Sequence, residues 1–382
     1  MGRAVKVAAA KVRHGTDPLD HVSIARELTT WYPNVARVLP WRHATPRAKK
    51  GARRDAWLSL VSEFMLQQTQ VSRVLEKFDP FVTRFSTPAA LAAASEHDVL
   101  AMWSGLGYYR RARLLHAASK AVVDVHDGVV PADLESLLKL PGVGRYTAGA
   151  IASIVFGVAA PIVDGNVSRV LLRLSAKRAT AADAADWSWD HAERLVKAAG
   201  DADLDVGVMN EALMELGATV CTPKAPRCGA CPLAASCLAK AKGLVDEIPT
   251  PKLATKRKSI TADVVVVTTG GRVLVRQRPA SGLWASMWEA PTRETSGEPG
   301  DVATESLPGD LGLECELARP EINAFLHKTT HRDVYFRVWR AKGSTRKTAR
   351  VPTERWVRAS EIDSLGLSNP QAGILRAALG NP

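Results

Sequence analysis

The chain has 382 residues, of which 46% are hydrophobic and 24% charged, and its formal net charge is +12. This length favours two domains with separate cores, and no apolar run approaches the roughly 18 residues of a membrane span. The charge favours nucleic acid over a membrane as the partner. A protein that is basic only for solubility has the same composition.

The first fifteen residues are basic and rich in Ala and Val. Lys6, Lys11 and Arg13 interrupt the apolar run that a secretory signal requires. We therefore expect a disordered basic arm over residues 1–20 and a cytoplasmic protein that associates with the nucleoid through DNA.

From residue 21 to about residue 240, apolar side chains recur at helical spacing, which predicts an all-α domain. A polar stretch with two prolines predicts a linker over residues 241–260. Residues 261–382 change to a period of two in several runs, which predicts an α+β domain. The segments predicted as helices are Ala56–Phe78, Ala89–Trp103, Arg110–Asp127, Pro131–Leu140, Tyr146–Phe156 and Asn166–Ser175.

In the second domain, the β-rich runs Ala262–Thr269 and Arg272–Arg278 meet at two glycines, a pair typical of a β-hairpin turn. Asp333–Ala341 alternates as another strand, and Glu361–Leu379 is helical in part. The chain shows no self-similar period, which argues against a repeat protein.

One acidic residue, Glu63, stands in an apolar helical pattern over residues 56–75. In a helix it would share a side with Leu60, Gln67 and Gln70, where its carboxyl could be desolvated and remain protonated near neutral pH. A general acid needs this property. A glutamate whose carboxylate reaches solvent fits the same pattern.

The sequence Leu-Pro-Gly-Val-Gly at residues 140–144 contains Gly142 and Gly144. Such a turn can expose backbone N–H groups at the start of a helix, where phosphate binds. An ordinary capping turn has the same pattern, so the motif alone is weak. An Asp-Gly-Asn sequence then brings in the carboxylate of Asp164, followed by Asn166.

Four of the five cysteines lie within residues 221–237, separated by six, two and five residues. Four thiolates at this spacing suit zinc and an iron–sulfur cluster equally well. Disulfides are disfavoured in a chain without an export signal. The fifth cysteine, Cys315, is interpreted as a small core residue. The candidate ligands are Cys221, Cys228, Cys231 and Cys237.

Taken together, the cysteine spacing, Leu-Pro-Gly-Val-Gly and Asp-Gly-Asn resemble the helix-hairpin-helix DNA glycosylases of the endonuclease III and MutY type. The resemblance implies a four-iron, four-sulfur (4Fe-4S) cluster on the cysteines. Residues 62–71, with Pro-Trp-Arg at 40–42, are similar to the catalytic helix of MutY-type adenine DNA glycosylases. The resemblance covers roughly residues 25–375. It implies excision of adenine mispaired with 8-oxoguanine or guanine in double-stranded DNA, by a protein that we expect to be a monomer.

The catalytic roles carry over by position. Glu63 matches the acid that protonates adenine, and Asp164 matches the carboxylate that stabilises positive charge on the sugar. Asn166 is expected to orient a carboxylate. Members that also cut the strand have a lysine where this chain has Tyr146, and a phenol cannot form a Schiff base. The resemblance therefore implies base removal without strand cleavage, with Tyr146 as a partner of the sugar or the acid.

The DNA contacts carry over in the same way. Gln68 and Thr69 match residues that enter the duplex around the extruded base. Tyr108 matches a tyrosine that wedges beside the opposite base, a role suited to a flat aromatic among arginines, although a buried tyrosine pair is the alternative. Gly142 and Gly144 match the DNA-backbone hairpin.

The second domain resembles the Nudix-like domain of MutY, which inspects 8-oxoguanine. It lacks the glutamate-rich Nudix helix, which predicts no pyrophosphatase activity. The family's reading loop has Phe-Ser-His, and the matching residues here are Thr329, Thr330 and His331. Thr330 and His331 keep the hydroxyl and the imidazole, whereas Thr329 replaces the aromatic residue. The preference for 8-oxoguanine is then weaker, or Phe325 substitutes.

Two other interpretations remain. An endonuclease III-like glycosylase and lyase acting on oxidised pyrimidines is opposed by Tyr146 and by the second domain. A non-catalytic iron–sulfur DNA-binding protein is opposed by the residues at matching positions, which are Glu63, Tyr146, Asp164 and Asn166. The basic segment 46–54 could contact DNA or be a solvated loop.

Overall fold

The structure, a computed structural model, describes most of the chain. The predicted arm lies outside the described residues up to residue 18, as do nearly all of the basic segment 46–54 and part of the predicted linker. The described ranges are 19–42, 54–251, 257–300, 305–318, 321–342 and 353–380. Within them, no helix combines the length and apolar character of a membrane span.

Most of the described helices lie in the N-terminal part, where no strand is described, and this confirms its predicted all-α character. The last two described helices lie in the C-terminal part. In chain order the helices are α1 (His21–Trp31), α2 (Ala56–Leu66), α3 (Val71–Arg84), α4 (Pro88–Ala92), α5 (Glu96–Met102), α6 (Arg110–His126), α7 (Leu134–Lys139), α8 (Arg145–Ala150), α9 (Gly165–Leu174), α10 (Ala185–Asp201), α11 (Val206–Thr219), α12 (Leu238–Ala241), α13 (Leu307–Asp310) and α14 (Asn369–Ala378). A π-helix, Ile151–Val155, follows α8. Short 3₁₀ helices occupy Tyr32–Asn34, Pro40–Arg42, Cys228–Ala230 and Ala359–Ser364.

The strands all lie in the C-terminal part. They are β1 (Lys258–Val266), β2 (Thr268–Thr269), β3 (Arg272–Gln277), β4 (Trp288–Glu289), β5 (Thr292–Ser296), β6 (Glu316–Leu317), β7 (Asn323–Lys328), β8 (Arg332–Lys342) and β9 (Glu354–Arg358). This confirms the predicted α+β character of the second domain.

The chain divides into two compact units that each contain separate stretches of sequence. Among the described residues, the first unit comprises 19–38, 54 and 144–251. The second unit comprises 39–42, 55–143 and the described residues from 257 onward, so it holds both helices α2–α7 and the C-terminal sheets.

The core of the first unit lies among α1, α9, α10 and α11. Buried residues such as Leu28, Leu171, Leu195 and Leu213 meet there, and three of the four clustered cysteines pack against them. Aspartates begin three of these helices: the side chain of Asp205, for example, accepts a hydrogen bond from an amide in the first turn of α11.

In the second unit, β1 lies parallel to β8 and antiparallel to β5, while β6 and β7 pair antiparallel with β8. A second sheet joins β2, β3 and β4, with β9 on β3. Gly270 and Gly271 connect β2 to β3 with φ angles of 52° and 71°, which confirms the predicted turn. The predicted run Ala262–Thr269 is not one hairpin strand, because its residues up to Val266 belong to β1 of the other sheet. Ile374 and Leu375 of α14 pack in the core of these sheets.

Three predicted helices are interrupted. Ala56–Phe78 divides into α2 and α3, and Ala89–Trp103 divides into α4 and α5 because Ser95 caps the second of these at the Asp98 amide (3.1 Å). Tyr146–Phe156 is regular only as far as Ala150, where the π-helix begins. The local spacing of apolar residues does not predict these breaks.

Candidate functional site

Glu63 lies on α2, near the C-terminal end of that helix. The helix begins where the side chain of Asp55 accepts a hydrogen bond from the Leu58 amide (3.0 Å). Ser62 and Phe64 on either side are buried, and Glu63 itself is half-buried. A half-buried residue is compatible with both interpretations of Glu63, so its role as a desolvated acid stays a prediction.

A turn separates α2 from α3. Gln68 has a φ of 55°, a left-handed conformation that no α-helix continues. The sequence pattern puts Gln67 and Gln70 on the helical side of Glu63. Gln67 caps the helix, and its amide donates to the Glu63 carbonyl (3.3 Å), whereas Gln70 lies beyond the turn, so the prediction is wrong for Gln70. Gln68 is exposed and Thr69 is half-buried, so the turn presents both near the surface.

Arg111 of α6 holds this turn in place. Arg111 is 6% exposed, and its guanidinium donates to the carbonyls of Phe64 (2.9 Å) and Met65 (2.8 Å) at the end of α2. It also donates to Thr69 Oγ1 (2.9 Å) and to both carbonyls of residues 106–107 (3.1 Å each). Burial lowers the pKa of Arg111 to about 10, so the group stays charged near neutral pH. The sequence gives no sign that separates this buried arginine from its exposed neighbours.

The two tyrosines before α6 have different surroundings. Tyr108 is 44% exposed with a φ of 47°, and its hydroxyl is hydrogen-bonded to that of Thr330. The Arg111 guanidinium lies 5.4 Å from the centre of the Tyr108 ring. Tyr109 is buried and donates to the carbonyl of Leu367 (2.7 Å). The buried alternative thus describes Tyr109 but not Tyr108.

Residues 329–331 form the turn between β7 and β8. The hydroxyl of Thr329 donates to the Arg332 carbonyl and accepts from the Arg332 amide, both at 3.0 Å. Thr329, which replaces the family's aromatic residue, therefore closes the turn. Phe325 stacks on Phe336 with ring centres 5.0 Å apart, so its ring packs on the sheet.

The hairpin of residues 140–144 needs glycine at one position for space. Gly142 has a φ of 77°, and a Cβ there would lie 2.7 Å from Leu114 Cβ and 2.9 Å from Phe64 Cε1. Gly144 precedes α8 with an ordinary φ of −91°, and a Cβ added there would have no neighbouring atom within 4 Å. Both glycines are exposed.

In the first unit, Asp164 begins α9. Its Oδ1 accepts a hydrogen bond from the Val167 amide (2.7 Å), and its Oδ2 accepts one from Asn166 Nδ2 (2.9 Å). Asn166 Oδ1 in turn accepts from Arg169 Nη2 (2.8 Å). The half-buried carboxylate is thus oriented by two donors from its own helix.

Arg169 continues this network to the cysteine loop. It is buried, and it donates to the carbonyls of Cys221 (2.8 Å) and Gly217 (2.7 Å). Gly217 approaches α9 so closely that a Cβ would lie 2.7 Å from Asn166 Cβ. Hydrogen bonds therefore connect Asp164 to the backbone of the first cysteine, a connection that the sequence does not reveal.

Tyr146 lies in the first turn of α8 and is half-buried. Its hydroxyl donates to the Met214 sulfur at 3.1 Å. Its predicted role beside the sugar or the acid stays a prediction.

The four clustered cysteines line one cavity together with Arg173. All four are half-buried and outside disulfides, and Arg173 Nη1 donates to Cys221 Sγ (3.3 Å). Burial raises the pKa of the Cys231 thiol to about 11. Across the described residues, no group of three or more His, Cys, Asp or Glu side chains is arranged to hold a single metal ion.

Carboxylates of the C-terminal sheets are engaged with arginines. Arg278 pairs with Glu289 (2.7 Å) and Glu294 (2.8 Å), and Arg293 pairs with Asp263 (3.0 Å). These acids stabilise the sheet region through ion pairs. The predicted lack of pyrophosphatase activity stays a prediction.

Comparison with protein families shows which class of protein this chain belongs to. Residues 61–186 match the HhH-GPD superfamily of base excision DNA repair proteins, and residues 263–377 match the NUDIX domain. The chain therefore combines a helix-hairpin-helix repair domain with a Nudix-like domain.

Similar proteins identify the family within this class of DNA repair proteins. The rat adenine DNA glycosylase is 34% identical over 94% of this chain and 79% of its own length, and the human one is 33% identical over 92% and 73%. The adenine DNA glycosylase of Mycolicibacterium smegmatis is 44% identical over 54% of this chain and 66% of its own length. The chain belongs to the adenine DNA glycosylase family.

Proposed function

We propose that this protein hydrolyses the bond between adenine and deoxyribose where adenine is mispaired with 8-oxoguanine or guanine in double-stranded DNA. The observation that carries the proposal is the oriented carboxylate of Asp164, held by the Val167 amide and by Asn166. A carboxylate oriented in this way can stabilise positive charge that develops on a sugar.

Glu63 supplies the proton. Adenine leaves poorly as an anion, so protonation on the base must accompany cleavage of the glycosidic bond. The half-buried position of Glu63 supports this assignment, because burial favours the neutral acid that can donate a proton. Glu63 as acid and Asp164 as charged stabiliser divide the work as in other glycosidases.

The reaction ends at base removal. Tyr146 presents a phenol where a lyase needs an amine, and its hydroxyl donates to a thioether. An alkali-sensitive abasic site is the expected product.

The DNA-facing residues keep the roles implied by their positions. Gln68 and Thr69 enter the duplex at the extruded adenine, and Tyr108 with Thr330 meets the opposite base. The exposure of Tyr108 and its hydrogen bond to Thr330 support this assignment. His331 in the same turn and the hairpin glycines Gly142 and Gly144 complete the contacts.

We further propose that Cys221, Cys228, Cys231 and Cys237 hold a 4Fe-4S cluster. Four cysteines that line one cavity fit the donor set of the cluster. The resemblance to the glycosylase family favours the cluster over zinc, between which the spacing alone does not choose. When bound, the cluster supplies a structural link across the loop, while Arg173 donates an N–H to the sulfur of Cys221.

One assay tests the proposed reaction. A duplex with adenine opposite 8-oxoguanine is incubated with the protein, and half of each sample is then heated in alkali. Strand cleavage only after alkali supports base removal alone. Cleavage without alkali would indicate a lyase, and no cleavage in either half would indicate a protein that binds DNA without catalysis.

A further inference from the structure

The loop at residues 282–287 in the second unit has an unfavourable backbone. Trp284 and Ser286, which both carry side chains, have φ angles of 52° and 56°. Residues other than glycine keep left-handed conformations only where surrounding contacts hold them. The loop must therefore be fixed by its neighbours.

Contacts hold the loop from two sides. From the end of β3, Arg278 Nε donates to the carbonyl of Leu283 (2.9 Å). From α6, Arg113 Nη2 donates to the carbonyl of Ala285, between the two left-handed residues. Arg113 is itself oriented by Glu96, whose carboxylate lies 2.8 Å from Arg113 Nε. The hydrogen bond from Arg113 therefore comes from outside the Nudix-like region.

The loop in turn supports the hairpin formed by β7 and β8. The ring of Trp284 lies 6.0 Å from the ring of His327 and 6.1 Å from that of Phe336, measured between centres. His327 lies near the end of β7, just before the turn that presents Thr330 to Tyr108. Arg113 thus reaches the turn through the loop backbone and the Trp284 ring.

The backbone next to Arg113 also leads to Tyr108, the partner of Thr330. Tyr108 and Tyr109 immediately precede α6, and the amide of Arg113 donates to the Tyr109 carbonyl (3.2 Å). Rigid backbone therefore connects Arg113 to Tyr108 on one side, and the loop connects it to Thr330 on the other.

We propose that Arg113 is a specificity-determining positioning residue that sets the spacing between Tyr108 and the turn of residues 329–331, and so the preference for 8-oxoguanine over guanine opposite adenine. This inference rests on the proposed function. The two bases differ only at the imidazole ring, where 8-oxoguanine has a carbonyl at C8 and an N–H at N7. Such a difference is distinguished only when the reading groups are held in place, because hydrogen bonds weaken steeply with misalignment.

The test measures single-turnover excision from two duplexes, one with adenine opposite 8-oxoguanine and one with adenine opposite guanine. Arg113→Met keeps the aliphatic stem but removes the guanidinium. The ratio of the two rates is expected to fall about tenfold, which is 1.4 kcal/mol of discrimination. The rate on the guanine duplex at saturating protein is expected to stay within about twofold, because Glu63 and Asp164 are unchanged.

Two variants serve as comparisons. Arg84→Met removes an exposed arginine that pairs with Asp98 (3.4 Å) within the helical segment, and should leave both rates unchanged. Arg113→Lys keeps a positive donor near Ala285 and should recover part of the ratio. A residue needed only for folding would lower both rates together and would not change their ratio.

A double-mutant cycle tests the route through the loop. Trp284→Leu removes the ring beside His327 and should reduce the ratio as Arg113→Met does. If both act through the same loop, the double variant should lose little more than either single variant. Independent, additive losses would overturn the proposed route.

The outcomes separate the two proposals. Wild-type protein that removes adenine from neither duplex would refute the proposed function. If wild type does remove adenine, the inference is overturned by a wild-type ratio near one, by an unchanged ratio in Arg113→Met, or by equal losses on both duplexes. Thermal melting of each variant confirms that the rates are measured on folded protein.

Discussion

At the scale of single residues, Glu63 and Asp164 are two carboxylates with opposite tasks in the proposed reaction. Asp164 accepts hydrogen bonds from two donors on its own helix, and Glu63 is half-buried near the end of α2. The proposed mechanism assigns the role of the anion to Asp164 and the role of the acid to Glu63.

Glu63→Gln is the most direct test of this division. Glutamine has nearly the same shape but no acidic proton, so we expect single-turnover excision of adenine to fall by about 10²–10⁴-fold. Binding to the 8-oxoguanine duplex should persist, as measured by fluorescence anisotropy. Glu76→Gln is the matched control, because Glu76 is exposed and pairs with Arg73 (2.6 Å) on the surface of α3. Excision by Glu63→Gln near the wild-type rate would contradict the general-acid assignment.

At the scale of elements, the hairpin of residues 140–144 is joined to the catalytic helix by packing. Gly142 lies against Phe64, the residue that follows Glu63, so the hairpin and α2 are fitted to each other. The turn after α2 is held by Arg111, whose contact with Phe64 spans 47 residues of sequence. Positions near the proposed DNA surface are thus set by close contacts inside the second unit.

Replacing the two hairpin glycines separates these effects. In Gly142→Ala the methyl group would overlap Leu114, and the left-handed backbone disfavours any side chain, so we expect a loss of about 2–4 kcal/mol in stability. Gly144→Ala meets no atom within 4 Å and has an ordinary φ, so its stability should be nearly unchanged. Urea unfolding of both variants measures the difference. Equal stabilities would show that the packing at Gly142 is not tight.

At the scale of the whole molecule, the sequence predicted the order of all-α and α+β regions and the turn at Gly270–Gly271. Local patterns suffice for these features, because periodicity and turn residues determine them. The break between α2 and α3 was not predicted, since it depends on Arg111 far along the chain. The network from Asp164 to Cys221 was missed for the same reason: Arg169 reaches residues about fifty positions away.

The loop that carries the four clustered cysteines has little regular structure of its own. Within residues 221–237 the regular structure is a single 3₁₀ turn at Cys228–Ala230, yet three of the cysteines pack against the helical core. Arg173 adds hydrogen bonds to Cys221 Sγ (3.3 Å) and to the Thr222 carbonyl (2.7 Å). A loop with so little regular structure is expected to need a bound cluster to stay folded.

Cys228→Ser tests that dependence. Removing one thiolate should lower the iron content and the visible absorbance of the purified protein. It should also lower the melting temperature, because a loss of about 3 kcal/mol corresponds to roughly 6–12 °C for a unit of this size. Cys315→Ser is the control, since Cys315 packs in a separate apolar cluster beside the C-terminal sheets, and its iron content should match the wild type. Wild-type protein that contains zinc and no iron, or a Cys228→Ser variant with full iron content, would show that these four cysteines do not hold the proposed cluster.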